Sequence, residues 1–223
     1  MATPDSYYVN MSGKRISQTS IKNRYYLKNL TTNEVIANIY LNRSIIQKEK
    51  GNVNAALKDV NHAIELHGND AVAFCNRGVI YEKMKDTGQA LRDYNKAIEL
   101  NPDYVPAYFN RGSLYATTKV FDKAIMDYSK ALSLDPNSPL SYYNRGIAFK
   151  MVDRIDLTIE DLSKAITLDP KFAAAYAHRG LAYAESGEQE KALADFTMGL
   201  ELDPNNKEIY MKRSILHADA QRF

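Results

Sequence analysis

The stretch AYFNRGSLYA at 107–116 returns thirty-four residues later as SYYNRGIAFK and stands thirty-four residues earlier as AFCNRGVIYE. A chain that repeats itself at a fixed period of this length builds one supersecondary unit and stacks copies of it. The copies register on Pro102, Pro136, Pro170 and Pro204, each preceded by Asn or Asp. They define units 37–70, 71–104, 105–138, 139–172 and 173–206, and a partial unit at 207–223.

Several independent positions keep this register. Position 8 is Ser44, Gly78, Gly112, Gly146 and Gly180; position 20 is Ala56, Ala90, Ala124, Thr158 and Ala192; position 27 is Ala63, Ala97, Ala131, Ala165 and Gly199. Large residues stand at position 4 (Tyr40, Phe74, Tyr108, Tyr142, Tyr176) and at position 24 (Val60, Tyr94, Tyr128, Leu162, Phe196). Apolar residues recur at helical spacing in two runs per unit, in the second unit Phe74, Val79 and Tyr81, then Ala90, Leu91, Tyr94, Ala97 and Ile98. The small residues mark where two helices approach closely. A proline after Leu-Asp or Leu-Asn stops the second helix, because the residue before proline avoids the helical region. Pro106 and Pro139 fall in the first turn of a first helix, where the missing N–H costs nothing.

The pattern resembles the tetratricopeptide repeat family over all five units, with Gln47 departing from the aromatic at position 11. The resemblance implies an all-α fold, a right-handed α-solenoid of five helix-turn-helix units closed by a capping helix at 207–223. Gly199 is expected to weaken its helix, and Thr158 to hold the helices of the fourth unit slightly apart. Residues 1–36 are expected to form a basic, partly irregular N-terminal segment. Its first twenty residues lack periodicity, and 21–33 suit a short helix that covers the first unit.

Arginine occupies position 7 throughout, at Arg43, Arg77, Arg111, Arg145 and Arg179, and again at Arg213. Aspartate occupies position 23 at Asp59, Asp93, Asp127, Asp161 and Asp195. Charges that repeat in lockstep predict ion pairs, formed within a unit or with a neighbouring one. The matched aspartates argue against an arginine ladder for phosphate or acidic peptide.

The resemblance also implies that the first helices line a concave groove through positions 2, 5, 6, 9, 12 and 13. Position 6 then supplies Asn42, Asn76, Asn110, Asn144 and His178. A side-chain amide offers one acceptor and two donors, so it can satisfy both groups of an extended peptide unit whatever that peptide's side chains. Such a ladder resembles those of other family members. Phe109 and Tyr143 at position 5 and Val79 and Ile147 at position 9 make the lining apolar between the amides. No position 5 is lysine, which disfavours the acidic chaperone tails that some members bind.

Catalytic chemistry finds no footing. His62, His67, His178 and His217 show no metal-ligand spacing, and His62 and His67 suit the surface of a second helix. Cys75, the single cysteine, suits a small buried residue. There is no phosphate loop, nucleophile elbow or dinucleotide turn. No catalytic, cofactor or metal residue and no small-molecule substrate is therefore expected. The net charge is +2, and residues 1–34 hold five basic residues against two acidic ones. That imbalance is too small to argue for nucleic acid. The chain lacks a signal peptide and an apolar run of membrane-spanning length, so a cytoplasmic location is expected. The expected function is a non-catalytic adaptor or scaffold that binds an extended segment of another protein. The alternatives are a self-associating homo-oligomeric scaffold, or the repeat part of a larger protein or enzyme.

Overall fold

Eleven helices follow a single short strand pair in the described part of the chain. The structure is a computed structural model that describes residues 8–9, 15–16 and 30–220. β1 (Tyr8–Val9) pairs antiparallel with β2 (Arg15–Ile16), Tyr8 opposite Ile16. This stretch, expected to be irregular, thus carries a minimal two-stranded ladder. The short helix expected at 21–33 lies mostly outside the described residues. At its end Leu30 and Thr31 are not helical, and Thr32 and Asn33 already belong to the helix of the first repeat.

The first helices of successive repeats are α1 (Thr32–Glu49), α3 (Ala71–Lys83), α5 (Val105–Thr117), α7 (Pro139–Lys150) and α9 (Ala173–Glu185). The second helices are α2 (Val53–Leu66), α4 (Thr87–Leu100), α6 (Phe121–Leu134), α8 (Ile155–Leu168) and α10 (Gln189–Leu202); α11 (Lys207–Ala220) follows. The chain divides into two compact units, residues 1–107 and 108–223. In the first unit α1 packs on α2 and α3, α2 on α3, and α3 on α4. In the second, each helix from α6 to α10 packs on its successor, and α7 also meets α9.

The turn inside each repeat is one motif used five times. Position 15 adopts the left-handed region at Gly51, Lys85, Lys119, Asp153 and Gly187. In the second repeat Lys85 N–H donates to Glu82 O and Asp86 N–H to Tyr81 O, both at 2.9 Å. This paired closure satisfies two carbonyls that a helix end would otherwise orphan. Only two of the five positions are glycine, so the turn was not legible in the sequence. The second helices end differently. Asn101, Asp135 and Asp169, each before a proline, are extended, and each N–H closes back onto the alanine at position 27.

Close helix approach depends on position 8. A Cβ built on Gly78 would lie 2.6 Å from the Tyr94 ring, and one on Gly180 would lie 2.8 Å from the Phe196 ring. Where position 8 is Ser44, position 24 is the smaller Val60, and the serine hydroxyl donates to Ala56 O at 2.8 Å. Gly199 also lies at a close helix contact. A Cβ there would stand 3.2 Å from Ile209 Cδ1, so the glycine admits the larger residue that α11 inserts. Thr158 is fully buried, and its hydroxyl bonds Arg154 O within its own helix. His62 and His67 are half-buried rather than surface residues. His62 sets its ring edge-on to Tyr40, and His67 follows the last turn of α2 with its ring 3.9 Å from the Glu34 carboxylate.

Gly78→Ala forces the Tyr94 ring to move and is expected to cost about 2 kcal/mol. Gly146→Ala meets only Leu162 and the Asp161 Cβ, at 3.2 to 3.3 Å, and should cost less. Denaturant unfolding of the two variants checks this order.

Candidate functional site

Asn and Arg stand side by side in the sequence, one residue apart on each first helix, and the helix sends them in different directions. The arginine turns toward the second helix of its own repeat. Its Nε and Nη2 hold the aspartate sixteen residues on as a two-pronged fork, at 2.6 Å and 2.6 Å for Arg43–Asp59 and 2.7 Å and 2.8 Å for Arg145–Asp161. Arg77–Asp93, Arg111–Asp127 and Arg179–Asp195 repeat this geometry. The carboxylate partner is thus within the repeat and not in the preceding one. The third donor reaches the preceding repeat. Nη1 of Arg77 bonds Asn61, Nη1 of Arg145 bonds Ser129, and Nη1 of Arg179 bonds Ser163, each at 3.0 Å. The guanidinium also stacks on aromatics at positions 4 and 11. Arg145 lies 5.7 Å from the Tyr142 and Phe149 rings, and Arg179 lies 5.7 Å from Tyr176 and Tyr183.

These arginines are therefore structural. Their carboxylate partners raise the guanidinium pKa further, against the opposing effect of burial. In the first repeat the bonds from Arg43 outweigh burial and hold the Asp59 carboxyl below its usual range.

The asparagine turns the other way. Asn42 is exposed, and Asn76, Asn110 and Asn144 are half-buried. Among the described residues the amides of Asn42, Asn76 and Asn144 make no hydrogen bond, and none is sealed from water. In the second unit the ring of Tyr143 meets Phe172 at 4.8 Å and stands edge-on to His178 at 5.6 Å. Phe109 packs against Tyr128 at 5.8 Å. Val79 and Ile147 are half-buried on their first helices. At the far end of this unit a small cavity of about 80 Å³ is lined by Ala177, His178, Leu181, Ile209 and Lys212. Lys150 at position 12 and Glu185 at position 13 of the next repeat pair at 2.8 Å. In the first unit Glu82, at position 12, accepts a hydrogen bond from Tyr94 Oη. Burial pushes the Glu82 carboxyl above its ordinary range, and the tyrosine bond opposes this. Cys75 at position 5 is buried. Among the described residues no group of three His, Cys, Asp or Glu could hold a metal ion, and no helix is long and apolar enough to cross a membrane.

This chain belongs to the tetratricopeptide repeat family. Models of the repeat match residues 71–104 and 173–206, 93–125, and 121–152. Members of this family are protein-interaction modules that in general carry no catalysis. No curated protein sequence matches this chain. Solved structures show the same fold. MamA from Desulfovibrio magneticus RS-1 is 22% identical at a TM-score of 0.69, over 77% of this chain and 97% of that one. YrrB, described as a TPR protein with an unusual peptide-binding site, is 19% identical at 0.64, over 82% and 91%. PilF from Pseudomonas aeruginosa is 14% identical at 0.75, over 85% and 90%.

Two outcomes follow from the charges. Arg145→Ala strands the buried Asp161 carboxylate and is expected to cost about 3 kcal/mol of folding stability, whereas Arg43→Ala, where the arginine is exposed, should cost less. Chemical denaturation reads both. Because the folded-state pKa of Glu82 lies above its unfolded value, the native state binds the extra proton. Stability then falls as the pH rises from about 4.3 through the folded pKa. Glu82→Gln should remove that fall, as measured by unfolding free energy across pH 4 to 7.

Proposed function

We propose that the chain binds an extended segment of another protein along the position-6 faces of its first helices, within each unit. The side-chain amides pair with the peptide groups of that segment. Asn42 and Asn76 serve in the first unit, with Val79 as apolar lining. Asn110, Asn144 and His178 serve in the second, with Phe109, Tyr143 and Ile147 receiving side chains. The carrying observation is the contrast between neighbours. The repeated arginines are bound into the fold by two or three hydrogen bonds each, whereas the amides of Asn42, Asn76 and Asn144 are left uncommitted at the surface.

Amides recognise backbone and the apolar lining selects side chains, so the ligand is a segment with little net charge and spaced apolar residues. Each net hydrogen bond contributes about 1 kcal/mol, and association costs take back much of the sum. A few amides with two or three anchored side chains support an affinity of roughly micromolar. The description of YrrB as a peptide-binding protein supports this use of the fold. The chain acts as an adaptor and performs no reaction.

Substituting Asn42, Asn76 and Asn144 together by alanine tests the proposal. Stability should change by no more than about 0.5 kcal/mol, the range of surface positions. Proteins captured from lysate by the wild type should be lost from the triple variant. Retention of the same proteins at matched stability places recognition on another face.

A further inference from the structure

The fifth repeat departs from its neighbours at the register positions next to the amides. At positions 2 and 5 the third repeat carries Pro106 and Phe109 and the fourth carries Leu140 and Tyr143, whereas the fifth carries Ala174 and Ala177. In the fourth repeat a large ring occupies this place, and Tyr143 lies 4.8 Å from Phe172. In the fifth the two alanines leave space, and they border the cavity of about 80 Å³ that α9 forms with α11.

The walls of this cavity are apolar and fixed. Phe196 and Ile209 are buried, and Leu181 continues the α9 side. Asn206 holds the start of α11: its Oδ1 accepts from Ile209 N–H, and its Nδ2 donates to the Asp203 carboxylate, both at 3.2 Å. The alanines, His178, Leu181 and Lys212 are half-buried, so the cavity meets solvent on the face that carries position 6. An unfilled apolar space forfeits dispersion contacts along its walls, and an inserted side chain restores them. Size then selects the side chain. An apolar cavity of about 150 Å³ takes a benzene ring, so one of half that volume admits the branch of Val, Leu or Ile and turns an aromatic ring away.

The rim adds a charge. Position 6 is Asn110 and Asn144 in the third and fourth repeats, His178 in the fifth, and Lys212 in α11. The register thus passes from neutral amides to a cation at the cavity. Lys150 is already paired with Glu185, whereas among the described residues Lys212 makes no hydrogen bond or ion pair. The unmatched ammonium complements a carboxylate on whatever fills the cavity.

We propose that this cavity is a side-chain pocket that takes one Val, Leu or Ile of the partner's extended segment, and that Lys212 pairs with an Asp or Glu one or two residues away in that segment. The inference rests on the reading that a segment binds along position 6. Residues two apart in an extended chain share a face and stand about 7 Å apart, and the flexible lysine stem adjusts to either neighbour. α11 is then a wall of the site as well as the cover of the last repeat.

An oriented library of acetylated, C-terminally amidated decapeptides, passed over the immobilised whole chain, tests this. Peptides retained by the wild type should be rich in Val, Leu or Ile at one position, poor in aromatic residues there, and rich in Asp or Glu within two residues of it. The best of them should bind Ala177→Leu, whose side chain fills the cavity, at least about tenfold more weakly, and Lys212→Gln about threefold more weakly. Ala177→Leu should lose the aliphatic preference, and Lys212→Gln only the acidic one. Thermal unfolding matched to the wild type controls the fold, and Ala174→Leu is the second filling variant should Ala177→Leu not fold. Peptides lost from the asparagine triple variant that show no aliphatic position, or keep the same preference on the filled cavity, overturn the pocket and leave the groove reading standing. Retention only from a library with free C-termini puts a terminal carboxylate at Lys212 and overturns the assignment to an acidic side chain. A wild type that retains nothing from either library overturns the groove reading, and the pocket with it.

Discussion

A guanidinium has donors on three sides, and this fold uses three of them. Two hold an aspartate on the second helix of the same repeat and so fix the hairpin. The third bonds a serine or asparagine of the preceding repeat and so fixes the step from one hairpin to the next. Aromatic rings at positions 4 and 11 lie against the guanidinium, each centroid 5.7 Å away in the fourth repeat. A lysine could not replace it, since an ammonium lacks both the fork and the flat face. Desolvation offsets much of the attraction, so the arrangement contributes register more than net stability. The small residue next in sequence, glycine in four repeats and Ser44 in the first, lies at the close approach of the two helices.

The adjacent asparagine takes no part in that arrangement at Asn42, Asn76 and Asn144, whose amides make no capping or bridging hydrogen bond among the described residues. A side chain repeated in register without a structural duty is a candidate for a partner that also has a regular period, and an extended polypeptide is such a partner. Apolar and aromatic residues stand near it in the sequence register, and Lys150 and Glu185 pair with each other.

The repeat family and the helical class were legible because glycine, alanine, aromatic and proline recur in one register. The lockstep of Arg and Asp pointed to pairing, but two features lay outside the pattern. The third partner of the arginine alternates between Asn61, Ser129 and Ser163, so no single residue type recurs to reveal it. The left-handed turn at position 15 is occupied by lysine or aspartate in three repeats and by glycine in two, because two backbone hydrogen bonds hold it whatever the side chain. The packing role of Gly199 was not legible for a related reason. Its meaning depends on Ile209, a contact between elements that local propensity does not report. Among the site residues, Asn42, Asn76 and Asn144 could be located by register, but that their amides make no hydrogen bond among the described residues could not be read there.

The most direct measurement of the division between the two neighbours is side-chain exchange by nitrogen-resolved NMR on the intact chain. The account predicts slow solvent exchange at the Nε–H of Arg77, Arg145 and Arg179, and rapid exchange at the amide groups of Asn76 and Asn144. Slow exchange at both asparagines would mean that the fold already holds their amides, and would contradict the assignment of these residues to a binding face.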